Sequence, residues 1–491
     1  MVRETQIRSV KYNAVMNILL MASSMFINVL TIPYVTRALS VDGFGNVSFA
    51  QSVSTWLSAF CLLGINVYGV RECARVRDNP VELSKVVREL LGIITVSTVV
   101  VLGVFALAIA IVPMFSSIAP LMWVFLVGTL MLSYGVEWFY QGLEQYAYIT
   151  KRSLIFKIIS FVATVLLVKE PDDYLVYGAI LAIVMCGNNL FNFIRLGKVV
   201  DLSCGGKLNY RRHFKSLLAF ASQSISSAVY LSFDSTLLGF IAQDNYEVGL
   251  YQLATKLKGI MYQVLNAVLG VFIPRLSHRY GSGDREGYHS LLARGFGLSL
   301  NVCIAISCYL FIFSGQVVEL ISGPEYAGAT LPLAIVGIVN FFSCMSYFFG
   351  LCILTPLNRE KQLAIANATG VPVSIILNFM LDPSLGAVGA SLSILVAEMI
   401  IFIQQVWYSR DVLAGIVNVR VLSRIFCSNC IAFAVCVLAY DFLELVGPFS
   451  SLLGLGLYAF IDMAGAYLLG DETAREIIRI LKLKIDKSVC L

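Results

Sequence analysis

Lys256 and Lys258 stand inside VGLYQLATKLKGIMYQVLNAVLGVFIPRL, residues 248–276, a run with the length and apolarity of a membrane span. An ammonium carried into hydrocarbon costs about 2.5–3.5 kcal/mol on insertion scales. Each lysine therefore needs a polar partner or a wet cavity. Two residues on a helix are separated by about 200°, which sets the two ammonium groups on different faces. Gln252, Lys256 and Gln263 share one stripe, and Thr255, Lys258 and Tyr262 share another. The first stripe is the more polar, so Lys256 is expected to face a cavity. Lys258 is expected to pair with Asp234 or Glu247, or to snorkel.

Other ionisable residues fall within apolar runs. Glu398 lies near the middle of one and reads as a proton or cation site. Glu137 and Lys157, near the same ends of adjacent runs, read as a structural ion pair. Asp462 is a weaker candidate. Uncharged polar residues form stripes: Asn13, Asn17, Ser24, Asn28 and Thr31 lead up to Pro33 and Arg37. Gln223, Ser227, Tyr230 and Asp234 form a second stripe, and Ser48, Gln51, Ser52 and Thr55 a third. Such stripes glue helices together or line a cavity. A few cations among many hydroxyls and amides suit an anionic, hydroxyl-rich cargo. A cavity for cationic drugs would lean on carboxylates and aromatics.

The elements that position these residues are transmembrane helices. The chain is 491 residues long, 58% hydrophobic and 13% charged, against about 25% charged in soluble proteins. Apolar stretches of about 20 residues recur, and about fourteen are long enough to span a bilayer. The first lacks a small-residue cleavage pattern and is expected to be retained. The fold class expected is an all-α polytopic membrane protein. Lys and Arg crowd alternate short loops, which places both termini in the cytoplasm. Only Arg37 and Lys169 fall on the other side, where the loops are acidic: KEPDDY, AQDNYE, LDPS and DFLE. None of the twelve cysteines lies in an outer loop, and CSNC at 427–430 sits within a span as small apolar filling. The three histidines lie in cytoplasmic segments.

An offset of 204 residues aligns Gly45 with Gly249, Ala50 with Ala254, Arg71 with Arg275 and Arg75 with Arg279 without a gap. Each copy holds an even number of spans, so a pseudo-twofold runs along the membrane normal, as in parallel-repeat carriers. The expected division is a first six-span lobe over 1–200 and a basic cytoplasmic linker over 201–215, with a short surface helix. A second six-span lobe covers 216–411, and 412–491 hold two further spans and a basic cytoplasmic tail. No Walker-type phosphate loop, nucleic-acid motif or large outer loop appears, and no cofactor or metal is expected.

The segment NILLMASSMFINVLTIPYVTRALSVDGFGNVSFAQS resembles the opening of polysaccharide repeat-unit flippases of the Wzx type. The resemblance rests on the span 1 asparagines, Pro33, Arg37, Leu39, Phe44-Gly45 and Phe49-Ala50. In the second half it rests on Asp234, Leu238-Gly239, Glu247-Val248-Gly249, Tyr251, Ala254, Lys256 and Pro274. Ser40 stands where family members often have glycine. The family lies in the multidrug/oligosaccharidyl-lipid/polysaccharide (MOP) exporter superfamily, so the resemblance implies a MATE/MOP-like two-lobed carrier without catalysis. It implies a protein of the bacterial cytoplasmic membrane that turns undecaprenyl-pyrophosphate-linked oligosaccharide from the inner to the outer leaflet by alternating access. The product would be O-antigen, capsule or exopolysaccharide. By position, Arg37 and Lys256 would meet the pyrophosphate, with Asn28, Gln51, Gln252 and Lys258 as further cavity contacts. Asp234, Glu398, Glu137 and Lys157 would serve ion coupling or gating. Expected partners are the lipid-linked oligosaccharide, membrane lipids, a polysaccharide polymerase and a chain-length regulator. The rival readings are a lipid II flippase, a multidrug/cation antiporter of the same superfamily, and a membrane glycan polymerase or acyltransferase. Short outer loops argue against the last.

Overall fold

The structure, a computed structural model, describes residues 10–202, 208–444 and 447–470. The first arginines, part of the basic linker with its expected surface helix, and the basic tail lie outside the described residues. Among the described residues every regular element is helical. The chain runs through α1 (Val10–Ala38), α2 (Val41–Leu62), α3 (Ile65–Val76), α4 (Pro80–Ile111), α5 (Pro113–Ser117), α6 (Ala119–Ser133) and α7 (Glu137–Gly142). It continues with α8 (Tyr146–Leu167), α9 (Tyr174–Val199), α10 (Arg211–Ala242), α11 (Asn245–Gly281), α12 (Arg285–Ile312), α13 (Ser314–Ser322) and α14 (Thr330–Phe348). The last are α15 (Glu360–Leu385), α16 (Ala387–Tyr408), α17 (Arg410–Ile416), α18 (Val419–Leu438), α19 (Tyr440–Glu444) and α20 (Ser450–Leu468).

Each expected span falls on a helix or on a pair of helices joined at a break. Among the described residues, 11 helical segments are long and apolar enough to cross a membrane, or 12 if α10, bent by 52° near Tyr230, counts as one. α8 and α11 have the length, 22 and 37 residues. Neither is among the 11, and each carries lysine within an apolar run. On α4, Val96, Val100, Val104, Leu107 and Ile111 are exposed, while Ile94, Thr98, Leu102, Phe105 and Ile109 are buried. An apolar row at helical spacing on the outer face is a surface for lipid rather than water.

Helix starts are built locally. Ser40 caps α2 by accepting a hydrogen bond from the Gly43 N–H at 3.1 Å, so this departure from the family pattern supplies a cap. Asn79 caps α4 through the Val81 and Glu82 N–H groups at 3.2 Å, with Pro80 in the first turn. The span expected over 44–69 breaks at Leu63 and Gly64, both left-handed, with Gly64 at φ 74°. A Cβ on Gly64 would strike the Phe220 backbone of α10, so both conformation and packing require glycine there.

Contacts divide the chain into two compact units, Met1–Gly249 and Leu250–Leu491. In the first, α2 packs on α4, α6 and α10, α1 on α8, and α6 on α9. Its core joins α3, α4 and α7 through Ile65, Tyr68, Leu90, Ile94, Trp138 and Phe139. α10, which the repeat assigns to the second lobe, packs here against α2 and α3. In the second unit α14 packs on α12 and α16, α15 on α16, and α18 on α12 and α20. Its core gathers Leu265, Leu269, Tyr288, Phe348 and Phe349.

The repeat offset reappears in the packing of the first unit. A Cβ on Gly45 would strike the Asn245 carbonyl, and a Cβ on Gly249 would strike the Val41 carbonyl. Positions 41 and 245 are related by the same 204-residue offset as 45 and 249. The starts of α2 and α11 therefore meet through a reciprocal pair of glycines, and Asn46 and Asn245 hydrogen-bond beside it at 2.6 Å.

One loop assignment is corrected. LDPS, expected in an outer loop, is helical: α15 continues through Pro383 to Leu385, and Asp382 is buried. Proline lacks an N–H and crowds the carbonyl four residues back, and Pro383 lies in the last turn of α15, where the helix packs on α16.

Candidate functional site

In the first unit, Asn28, Arg37 and Gln51 are exposed on α1 and α2, and Asp234 on α10 is buried. Glu137 and Lys157 do not form the expected ion pair. Glu137 meets Arg152 at 3.7 Å, and Arg152 is buried, with its Nε donating to Asn188 at 2.7 Å. Lys157 turns toward α1. Its ammonium donates to the Leu20 carbonyl and the Ser23 hydroxyl at 3.3 Å, and to the Ser24 hydroxyl. Arg152 and Lys157 share α8 but are five residues, about 140°, apart on the helix, so they cannot address the same partner. The guanidinium takes the carboxylate, and the ammonium takes the hydroxyls of a polar stripe.

In the second unit, Gln252, Lys256 and Lys258 are half-buried on α11. The Lys258 ammonium donates to the Ser343 hydroxyl on α14 at 2.9 Å. That hydroxyl donates to the Glu398 carboxylate on α16 at 2.7 Å. Glu398 is 6% exposed and Ser343 is 9% exposed. Thus two groups that the sequence could not connect, Lys258 and Glu398, lie at the ends of one short hydrogen-bonded chain. Spacing along the chain could not reveal it, because three helices and a serine supply it.

Three further polar clusters were not foreseen. Asp462 on α20 accepts from Asn301 on α12 and Ser428 on α18, both at 2.8 Å. Asn429 donates to Asn301 at 2.6 Å, so CSNC contributes its serine and asparagine inward while Cys427 and Cys430 are exposed. Asp382 and Asn378, one turn apart on α15, are buried. Finally, Glu89 near the start of α4 is fully buried. It accepts from the Asn209 N–H at 2.6 Å, from the Arg212 Nε at 2.7 Å, and pairs with the His213 Nε2 at 2.9 Å. His213 Nδ1 meets the Tyr68 hydroxyl at 2.7 Å. The sequence signal for the last cluster is faint: a glutamate in the first turns of a span, and a histidine beside an arginine.

The family described as polysaccharide biosynthesis protein matches residues 10–279. The chain is 24% identical over 402 residues to a protein of Escherichia coli (strain K12) named an O-antigen transporter, covering 80% of this chain and 95% of that one. It is 23% identical over 186 residues to a protein of Haloferax volcanii named a low-salt glycan biosynthesis flippase, covering 37% of this chain and 39% of that one. Among solved structures, the lipid II flippase MurJ in an inward closed conformation superposes with a TM-score of 0.65 at 13% identity, over 94% of this chain and all of that one. An inward-facing multidrug resistance MATE family transporter of the MOP superfamily superposes with a TM-score of 0.60 at 13% identity, over 82% of this chain and 98% of that one. The fold is therefore that of the MOP transporters.

Proposed function

Because this chain belongs to the polysaccharide biosynthesis protein family, whose match covers residues 10–279, we propose that it flips lipid-linked oligosaccharide across the bacterial cytoplasmic membrane. The cargo is an undecaprenyl-pyrophosphate-linked repeat unit for surface polysaccharide, moved to the outer leaflet by alternating access. The observation that carries this reading is the pair of lysines retained on α11, a helix otherwise apolar enough to span. A diphosphate repays the dehydration of an ammonium through charge-assisted hydrogen bonds, and a sugar is met by amides such as that of Gln252 on the same helix. Lys256 on α11 is assigned to the head group.

The protein acts as a carrier, not a catalyst, and no covalent step is required of it. A membrane potential negative inside favours outward movement of an anionic head group by about 2.3 kcal/mol per charge per 100 mV. The lipid tail stays in the bilayer throughout.

The test is made on cells depleted of the protein, with lipid-linked oligosaccharides extracted and their leaflet read by impermeant labelling. Complete repeat units are expected to accumulate on the cytoplasmic face, rescued by wild type and at least tenfold less by Lys256→Ala. Normal outer-leaflet display with altered drug sensitivity would instead assign the protein to drug efflux, and loss of viability with accumulated lipid II would assign it to peptidoglycan export.

A further inference from the structure

The chain from Lys258 through Ser343 to Glu398 has a direction. A serine hydroxyl holds one proton, and here it is given to Glu398 Oε1 at 2.7 Å while the oxygen accepts from the Lys258 ammonium at 2.9 Å. This is the arrangement of a cation and an anion joined by a hydroxyl. Tyr262 on α11 lies close enough to Glu398 to feel its charge, and Cys303 on α12 and Cys344 and Tyr347 on α14 act on the same tyrosine; all four are neutral at pH 7 at their ordinary values. On α15 the nearest carboxylate, Asp382, lies against Gly389, nine residues or about 13 Å along α16 from Glu398. Lys258 is thus a cation joined through one hydroxyl to a buried carboxylate, and a buried charge needs such a partner.

We propose that Glu398 is a proton-binding site linked to the cargo: an anionic head group on α11 draws the Lys258 ammonium away, and Glu398 takes up one proton from water in its place. The inference rests on the proposed diphosphate cargo. The balance is simple. Before binding, Lys258 is a cation and Glu398 an anion. Afterwards Lys258 neutralises the diphosphate, and Glu398 is a neutral carboxylic acid that can hydrogen-bond to Ser343 with the serine proton turned around. By linkage the effect is reciprocal: protonating Glu398 releases Lys258 and tightens anion binding, so lower pH favours the loaded state. When the diphosphate leaves, Lys258 returns and the proton is released. A lysine whose partner were structural alone would show none of this.

The experiment uses the full chain purified in nanodiscs, with geranyl pyrophosphate as the probe. Binding is measured by calorimetry in two buffers of different ionisation enthalpy, which reports protons taken up per probe bound. Wild type is expected to take up up to one proton more than Glu398→Gln, since protonation of the probe itself is common to both and subtracts. Glu398→Gln is expected to bind the probe more tightly at pH 8 and with less pH dependence. Ser343→Ala, which keeps both charged residues and cuts the bridge, is expected to weaken the link; it stands in if Glu398→Gln does not fold. Lys258→Gln is expected to bind at least tenfold more weakly and without the extra proton. Equal proton uptake by wild type and Glu398→Gln, or by wild type and Ser343→Ala where Glu398→Gln does not fold, overturns the linkage and leaves the flippase reading standing. Absence of probe binding by wild type overturns the diphosphate reading and the linkage with it.

Discussion

Arg152 and Lys157 differ in what their removal should do, although both are cations on α8. Arg152 is buried and bonded to Glu137 and Asn188, so Arg152→Met removes both charge-assisted contacts and should cost about 1–3 kcal/mol. Lys157→Met removes three donors, but Ser23 and Ser24 each also donate to the Leu20 carbonyl at 2.8 and 3.0 Å. The loss should stay within about 1 kcal/mol, and thermal unfolding in detergent should rank the two variants in that order. At the charged surface, Asp411 accepts from Arg359 at 2.8 and 2.7 Å. Those hydrogen bonds hold its carboxyl below the usual aspartate range. A lowered value in the folded state gives stability that is present above the ordinary aspartate value of about 3.9 and is lost as the pH falls through the folded value. Both groups are partly exposed, so the pair contributes at most about 1 kcal/mol. Asp411→Asn should therefore lower the melting temperature slightly at pH 7 and not at all well below pH 4. At this scale the sequence identified which residues were anomalous, because a charge in an apolar run is visible without coordinates. It did not identify their partners: Glu137 went to Arg152, and Glu398 to Lys258 through a serine.

The helices are tied at their ends by groups of unequal weight. Glu89 holds α4 to the start of α10 from a fully buried position, while Glu82 meets the same Arg212 from a half-exposed one. Breaking a buried pair by removing one partner costs about 3–5 kcal/mol, and a surface pair is worth about 0–1 kcal/mol. Glu89→Ala should expose the region before α10 to protease in the folded protein, and Glu82→Ala should leave the digestion pattern unchanged. The two helices beyond the repeat are attached in a similar way. Asp462 binds α20 to α12 and α18 through two hydrogen bonds. Hydrogen bonds within membranes average about 0.6 kcal/mol, so Asp462→Leu should cost about 1 kcal/mol. Helix lengths followed from apolar runs, to within a few residues at most ends. The break at Leu63 and Gly64 and the continuation of α15 through Pro383 did not, because each depends on what packs against that turn.

For the whole chain, the asymmetry of basic residues predicts a topology that labelling can read. In a background without native cysteines, Asp172→Cys should react with an impermeant maleimide in intact cells. Gly283→Cys should react only after permeabilisation. The reverse result would turn the proposed direction of transport around. Gly45 and Gly249, which the 204-residue offset aligns, make reciprocal close contacts, and replacement of either by leucine should disturb both α2 and α11.

What the sequence determined by itself was the class of solvent, the rough limits of the helices, and the family. These follow from hydrophobicity and charge summed over stretches of about 20 residues, which depend little on who packs against whom. Tertiary structure alone decided that Lys258, Ser343 and Glu398 form one chain, that Asp382 is buried, and that Glu89 gathers Arg212 and His213. Each is a meeting of side chains from separate helices. Helical periodicity sets the face on which a side chain stands, whereas the rotation and depth at which helices pack set what that face meets.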